Sequence, residues 1–283
     1  MKAISLVLLT TLIYASTFLV VQRTTGTLPV FSFLFLRFAI AAVVFVPLIW
    51  DARRFKATLR SSGLWVVLAG LLFSGGFIFQ TLGLRLITTG RSGFLTSLYV
   101  VFVPLLSWLV QRRAPGVRLS VAATLAFGGI ALLSYSPGSN ALGDLFALLS
   151  PLCFAGHIIA VGHFGQEDDW KVLTFLQLGI VAITTGMGAL FQGFPFEAVT
   201  WSNGAAIAYT ALLATALALG IQVWAQRVLE SSTIALIFAL EAPFVAIIGA
   251  TVNAEVMSLS ELMGCALCFG GTLVACANFR FSR

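Results

Sequence analysis

The chain has 283 residues, of which 59% are apolar and only 9% are charged, and its mean hydropathy is +1.03. This composition excludes a water-soluble globular domain and indicates a protein that spans a membrane. The formal net charge of +6 does not indicate a nucleic-acid partner, because the basic residues occur in short clusters between apolar segments, as is typical of membrane proteins.

Ten apolar segments follow one another along the chain, and each has about the length that one membrane crossing requires. They cover residues 3–22, 30–50, 62–84, 92–110, 119–136, 144–163, 172–191, 203–225, 232–252 and 260–279. We therefore expect an all-α polytopic membrane protein with ten transmembrane helices. The first segment follows Lys2 and is too long for the apolar core of a signal peptide, so we interpret it as a membrane anchor.

The distribution of Lys and Arg between the ten segments predicts the orientation of the chain. Twelve lie in connections on the side of the N-terminus, namely Lys2, Arg53, Arg54, Lys56, Arg60, Arg112, Arg113, Arg118, Lys171, Arg227, Arg280 and Arg283. The other side has only Arg23, Arg85 and Arg91. Because basic residues accumulate in cytoplasmic loops, we expect both chain termini in the cytoplasm.

Weak internal similarity relates the two halves of the chain. The matched positions, in the same order in both halves, are Gln80-x4-Arg85 with Gln222-x4-Arg227, Pro104 with Pro243, and Ala126-Phe127-Gly128-Gly129 with Cys268-Phe269-Gly270-Gly271. Five helices per half is an odd number, so the second half must enter the membrane from the opposite side. We therefore predict two inverted repeats, residues 1–138 and 139–283, as found in many transporters.

Three motifs carry a family resemblance that extends from the first helix to the tenth. They are Leu36-Arg37-Phe38-Ala39, the segment Gly93-Phe94-Leu95-Thr96-x-Leu98-Tyr99-Val100-Val101-x-x-Pro104, and Leu240-Glu241-Ala242-Pro243 followed by Glu255. The chain thereby resembles the EamA-type branch of the drug/metabolite transporter superfamily. The resemblance implies an inverted-repeat carrier without a cofactor that exports amino acids or related small metabolites across the bacterial inner membrane. Exporters of aromatic and other neutral amino acids are the most similar subgroup.

Three ionisable residues lie deep within apolar segments. Glu241 is about ten residues, or ~15 Å, from either end of its helix, where a carboxylate usually faces a bundle interior or a wet cavity and marks a substrate or proton pathway. His157 can titrate near neutral pH or donate one bond to a neighbouring carbonyl. For each, a buried structural hydrogen bond is the alternative. We expect Arg37 to be a structural charge that stabilises the bundle rather than a substrate contact.

Nine residues in the apolar segments are candidates for binding the substrate. They are Tyr14, Ser16, Thr17, Gln80, Tyr99, His157, Gln222, Trp224 and Glu241. Together they can line a central cavity, with hydrogen bonds for an ammonium or carboxylate group and aromatic faces for an apolar side chain. The alternative for each is interhelical hydrogen bonding, which contributes only ~0.6–2 kcal/mol in membrane proteins.

The sequence contains no phosphate-binding loop of the kind that NTPases use. The lysine of such a loop follows a glycine, and none of the three lysines, Lys2, Lys56 and Lys171, does so. We expect no NTPase and no ATPase subunit, so transport is downhill or driven by an ion gradient. Glu241 and His157 are the available proton carriers, and the sequence leaves proton coupling open. Besides a carrier, an intramembrane enzyme and a channel or receptor-like component remain as alternatives, although the sequence has no His-Glu-x-x-His motif.

Three local patterns complete the expectations. Cys153, Cys265, Cys268 and Cys276 all lie within apolar segments, where we expect them to pack as small apolar side chains and to form neither a disulfide nor a metal site. Gly128 and Gly270 are expected to allow close approach of helices. Glu167, Asp168 and Asp169 are expected to form a solvated acidic turn.

Overall fold

The computed structural model describes residues 2–49, 51–112, 116–133, 140–164, 168–193, 200–253 and 258–276, and the regular elements in these ranges are all helices. The α-helices are α1 Lys2–Thr27, α2 Val30–Phe45, α3 Ala52–Leu84, α4 Thr89–Thr96, α5 Tyr99–Gln111, α6 Val117–Leu133, α7 Ala141–Gly162, α8 Trp170–Gln192, α9 Trp201–Ala211, α10 Ala218–Ala225, α11 Ser231–Phe238, α12 Glu241–Asn253 and α13 Leu259–Cys276. A 3₁₀ turn, Val46–Leu48, extends α2, and a π-helical turn, Leu212–Leu217, joins α9 to α10.

Eight helical segments in these ranges are long and apolar enough to cross a membrane. They are Lys2–Thr27, Val30–Leu48, Arg53–Leu84, Thr89–Val110, Ala141–Gly162, Trp170–Gln192, Trp201–Ala225 and Ser231–Gly249. Val117–Leu132 and Leu262–Val274 are shorter apolar helices. The expectation of a polytopic all-α membrane protein is therefore confirmed, and the helices fall on the ten apolar segments. With 17 residues, α6 rises ~25 Å, slightly less than the ~30 Å of a typical hydrocarbon core.

Two of the crossing segments are broken near their middle. Ser97 and Leu98 separate α4 from α5, and Ala239 and Leu240 separate α11 from α12. In the second case Pro243 has no N–H to donate to the carbonyl four residues earlier, which belongs to Ala239, and its ring clashes with that carbonyl. The break is thus a local consequence of the sequence, and it places the first turn of a helix inside the bundle.

Helices from the first and second parts of the chain pack against each other throughout the bundle. The contacting pairs include α2 with α8, α3 with α7, α6 with α13, and α1 with both α10 and α12. The largest apolar core lies among α2, α3, α8 and α10 and contains Phe33, Phe38, Phe73, Leu178 and Leu219. The chain therefore folds as one interlocked bundle in which few contacts stay within a single half.

The close packing of α6 against α13 depends on two glycines. A Cβ atom at Gly129 would lie 2.6 Å from the carbonyl oxygen of Gly264, and one at Gly271 would lie 2.7 Å from the carbonyl oxygen of Ala122. Neither distance is compatible with a side chain, and because both oxygens are backbone atoms of the facing helix, no side-chain rotation can relieve the clash. Gly129 and Gly271 lie 142 positions apart, at matched places in the internal repeat.

The prediction that Gly128 and Gly270 mediate helix packing is wrong. A Cβ atom at either position would have no neighbour within 4 Å. With 3.6 residues per turn, adjacent residues point in directions that differ by about 100°. The residue that follows each of these glycines therefore faces the partner helix in its place.

The acidic turn before α8 is also different from the expectation. Asp168 is buried, with 5% of its surface exposed, and it accepts hydrogen bonds from the hydroxyl groups of Ser61 and Ser62 on α3. Asp169 caps α8. Glu167 lies outside the described residues. The prediction of a solvated turn is thus wrong for Asp168, whose carboxylate connects this turn to α3 by hydrogen bonds.

Candidate functional site

A cavity opens in the middle of the bundle, among α1, α2, α3, α7, α10 and the ends of the four half-helices α4, α5, α11 and α12. Its empty volume, which includes the open space at its mouth, is about 490 Å³. Seven of the nine candidate residues line the cavity, namely Tyr14, Thr17, Gln80, Tyr99, His157, Gln222 and Glu241.

The remaining two candidates, Ser16 and Trp224, are not among the lining residues of this cavity. The Ser16 hydroxyl lies 2.6 Å from the Tyr209 hydroxyl and also donates to the Ile13 carbonyl at 2.6 Å. Trp224 packs against an apolar cluster that includes Val7, Ala225 and Leu229. Their proposed contact with substrate stays a prediction.

Glu241 lies where one of the broken helices resumes. It is the first residue of α12, and Tyr99 is the first residue of α5. The Tyr99 hydroxyl donates a hydrogen bond to Glu241 Oε2 at 3.1 Å, and both side chains are at most 5% exposed. A carboxylate in the first turn of a helix also faces the positive end of the helix dipole. The hydrogen bond between Tyr99 and Glu241 therefore joins the two points at which the broken helices resume, at the wall of the cavity.

Arg37 lines the same cavity and is 2% exposed. Its Nε donates to Thr215 Oγ1 at 2.6 Å, its Nη2 donates to the Ala214 carbonyl at 3.3 Å, and its Cζ lies 4.6 Å from the centroid of the Phe77 ring. Thr215 and Ala214 belong to the π-helical turn, an element that frequently occurs at functional sites. Within the described ranges, no carboxylate oxygen lies within 4.0 Å of the guanidinium nitrogens.

His157 is held on two sides. Its Nε2 lies 2.8 Å from Gln177 Oε1, and its ring stacks on Phe73 with centroids 4.3 Å apart. The Gln177 amide nitrogen donates to the Leu173 carbonyl, which leaves the amide oxygen to accept from the imidazole. His157 thus has the structural bond that the sequence left as an alternative, and it also borders the cavity.

Two glutamines face the cavity from opposite halves of the chain. Gln80 Nε2 donates to Thr96 Oγ1 at 3.4 Å, and Gln222 Nε2 donates to Gln226 Oε1 at 3.1 Å. Each side chain is therefore anchored on one side by a neighbouring polar group. Their carbonyl oxygens are acceptors that a bound solute can use.

Apolar rings complete the wall, and sequence reasoning missed them. They belong to Phe18, Phe73, Phe77, Phe154 and Phe238. Rings such as these form edge-to-face contacts, as between Tyr14 and Phe238 with centroids 5.7 Å apart. No sequence signal marked them, because the 25 phenylalanines of the chain are spread widely and occur in nine of its ten apolar segments.

The cavity combines one carboxylate, one guanidinium, two amides and a ring of aromatic side chains at mid-bundle. It can hold a small solute that has both charged and apolar parts. Within the described residues, no three His, Cys, Asp or Glu side chains come together as a metal site requires.

Comparison with known proteins places this architecture in a family. The sequence profile of the EamA-like transporter family matches residues 1–135 and again residues 141–276. A protein of Archaeoglobus fulgidus described as an "uncharacterized transporter" is 33% identical over 258 residues, which cover 90% of this chain and 80% of that protein. A second one from the same organism, with the same description, is 24% identical over 253 residues, 86% of each chain.

The fold has also been seen in a crystal structure. That structure superposes with a TM-score of 0.73 over 97% of this chain and 96% of the other, at 19% sequence identity. At this identity the likeness concerns the fold alone. From the two profile matches, which together cover nearly the whole sequence, and the membrane-spanning bundle around a polar cavity, we conclude that this chain is a multi-pass membrane protein of the EamA-like transporter family.

Proposed function

We propose that the protein is a secondary transporter that exports amino acids with aromatic or other neutral side chains, or related small metabolites. The observation that carries this proposal is the mid-bundle cavity, which has a carboxylate, a guanidinium and five phenylalanine rings in its wall. Polar residues buried in a membrane protein are costly and usually serve the transported solute. The family and its archaeal relatives indicate transport rather than catalysis.

The proposed architecture has ten crossings in two inverted halves, residues 1–138 and 139–283. Two separate profile matches, with a boundary between residues 135 and 141, support it. The lining of the cavity supports it too, because six pairs of lining residues are 140 or 142 positions apart. The pairs are Tyr14 and Phe154, Thr17 and His157, Phe18 and Ile158, Gln80 and Gln222, Thr96 and Phe238, and Tyr99 and Glu241.

Residues related by a two-fold axis can touch only if they lie close to that axis. The Tyr99 hydroxyl bonds Glu241 across 142 positions, and Cys268 Sγ lies 3.6 Å from the Ala126 carbonyl across the same interval. These contacts are expected if a two-fold axis in the membrane plane passes through the cavity and between α6 and α13. The cavity would then belong equally to both halves.

Such an arrangement favours alternating access. In transporters built from inverted repeats, broken helices meet at the substrate site near the bilayer midplane, and the two halves rock around it. The breaks at Ser97–Leu98 and Ala239–Leu240 occupy matched positions in the two halves and border the cavity. We infer that the cavity opens alternately to the cytoplasm and to the outside.

The remaining features follow from the sequence. The twelve basic residues on one side against three on the other favour cytoplasmic termini in the bacterial inner membrane. Glu241 is the group best placed to bind an ammonium ion or to carry a proton, and His157 is the second proton carrier. A facilitative channel and an exporter of drugs or other metabolites are the alternatives to this proposal.

Counterflow in proteoliposomes tests the proposal. Vesicles are loaded with unlabelled phenylalanine at high concentration and diluted into a trace of labelled phenylalanine, with and without a pH gradient. A carrier accumulates label transiently above its external concentration, whereas a channel only lets it equilibrate. Absence of counterflow for a panel of aromatic, neutral and other amino acids would refute amino-acid transport, and equilibration without overshoot would favour a channel.

A further inference from the structure

Arg37 is a buried cation without an anionic partner in the part of the chain that the structure describes. It makes two hydrogen bonds, to Thr215 and to the Ala214 carbonyl, while a guanidinium has five N–H groups. The nearby Phe77 ring compensates only part of the lost hydration. The other three N–H groups have no protein partner among the described residues and are available to a bound solute.

The geometry of the two bonds determines which edge of the guanidinium is free. Nε and Nη2 form one edge of the plane, and this edge faces Thr215 and Ala214 on the π-helical turn. The other edge, which consists of one N–H from Nη1 and one from Nη2, has no hydrogen-bond partner among the described residues. Two parallel N–H groups of this kind match the two oxygens of a carboxylate.

The negative group in the wall of the cavity is Glu241. It lines the same cavity as Arg37, but the two side chains do not form an ion pair. Tyr14 lines the cavity together with both of them. A solute with separate positive and negative groups can therefore contact both Arg37 and Glu241, and its apolar part then packs against rings such as Phe73 and Phe154.

We propose that Arg37 binds the carboxylate of the transported solute and thereby makes the carrier specific for α-amino acids over amines of the same shape. The proposal deepens the proposed function and rests on it. The ammonium group of the solute binds Glu241 in place of the Tyr99 hydroxyl, and the carboxylate binds the free edge of Arg37. Arg37 is thus a specificity-determining residue in addition to its structural bonds.

Three ligands of one shape test this assignment: phenylalanine, phenethylamine, which lacks the carboxylate, and 3-phenylpropionate, which lacks the ammonium. Binding to purified protein is measured by thermal shift and by competition with labelled phenylalanine in counterflow. We expect wild-type protein to bind phenethylamine at least about 30-fold more weakly than phenylalanine, because one partner of a buried charge pair is missing.

Variants assign the effect to Arg37. In Arg37→Gln, phenylalanine and 3-phenylpropionate should lose about 30-fold or more in affinity while phenethylamine is affected several-fold at most. Arg37→Lys should recover only part of the loss, since an ammonium cannot reproduce the planar fork. Arg23→Gln, at an exposed position near the outer end of α1, is the matched control and should behave as wild type.

Each outcome decides the proposal. Equal binding of phenethylamine and phenylalanine to the wild type overturns it, even if Arg37→Gln does not fold, and so does a panel in which none of the three ligands binds. Arg37→Gln that folds and keeps wild-type affinity for phenylalanine also overturns it. If 3-phenylpropionate binds through Arg37 but phenylalanine shows no counterflow, then amino-acid export fails and the assignment of Arg37 stands.

Discussion

A single added methyl group at Gly129 tests the packing of the bundle. In Gly129→Ala the new Cβ would lie 2.6 Å from the Gly264 carbonyl oxygen and 2.9 Å from the Cys268 backbone nitrogen, whereas ordinary contacts begin at 3.4 Å. Because both neighbours are backbone atoms of α13, the clash is relieved only if the helix shifts by about 0.8 Å. Overpacking of this kind costs ~1–3 kcal/mol, and we expect the upper end here.

A loss of about 3 kcal/mol lowers the Tm of a protein of 150–250 residues by roughly 6–12 °C. The assay is thermal stability of the detergent-purified protein, followed by fluorescence-detected size-exclusion chromatography. Gly128→Ala is the matched control, because its Cβ meets nothing within 4 Å and alanine favours a helix over glycine by about 1 kcal/mol. Equal Tm values for the two variants, or a lower value for Gly128→Ala, would refute the assigned contact between α6 and α13.

Three further predictions concern the cavity and its closure. Glu241→Gln should fold normally but reduce counterflow at least about tenfold, because a hydrogen bond to a charged group contributes ~1.5–3 kcal/mol; full activity would remove Glu241 from the mechanism. Tyr99→Phe should lower Tm more in the wild-type background, where it leaves a buried carboxylate oxygen without its donor, than in Glu241→Gln, whose amide oxygen accepts only a weaker, uncharged hydrogen bond; equal losses in both backgrounds would contradict a bond to a charged carboxylate. Arg91 binds Asp144 through Nε at 2.7 Å and Nη2 at 3.1 Å and joins α4 to α7 on the predicted outer side. Asp144→Asn should weaken this closure by ~1 kcal/mol, which corresponds to about a fivefold population shift, and increase labelling of the cavity from outside; unchanged labelling would show that the pair is not a gate.

Length and polarity made the membrane bundle predictable. Each of the ten apolar segments corresponds to a helix or to a broken pair of helices, because a bilayer requires the backbone to satisfy its own hydrogen bonds. The same reasoning singled out Glu241 and Tyr99, since a polar group deep in an apolar segment needs a partner. That these two would be partners of each other was not predictable from polarity alone.

The sequence could not predict which face of each helix meets its neighbour. Gly128 and Gly129 are adjacent in sequence, and only packing against α13 decides which of them faces the partner. Ser16 and Thr17 are also adjacent, and Thr17 is among the residues that line the cavity. A single sequence gives no measure of distance, so it could not show that Arg37, expected to be a structural charge, borders the same cavity as Glu241.

The breaks within helices were also not predicted from the sequence. Pro243 lies within one of the apolar segments, but its consequence four residues earlier, the interruption of the helix at Ala239, was not deduced from the sequence. The π-helical turn that positions Thr215 against Arg37 has no recognisable sequence signal. The π-helical turn and the helix breaks are the places where the candidate site is built.

The central claim is that one cavity, shared by the two halves, opens to each side of the membrane in turn. Accessibility of Thr17→Cys, in a variant whose four native cysteines are replaced, tests it most directly, because Thr17 lines the cavity. A membrane-impermeant thiol reagent is applied to right-side-out and to inside-out vesicles, with and without phenylalanine. The account predicts labelling from both sides and protection by the solute; labelling from one side only, unaffected by any solute that is transported, would contradict it.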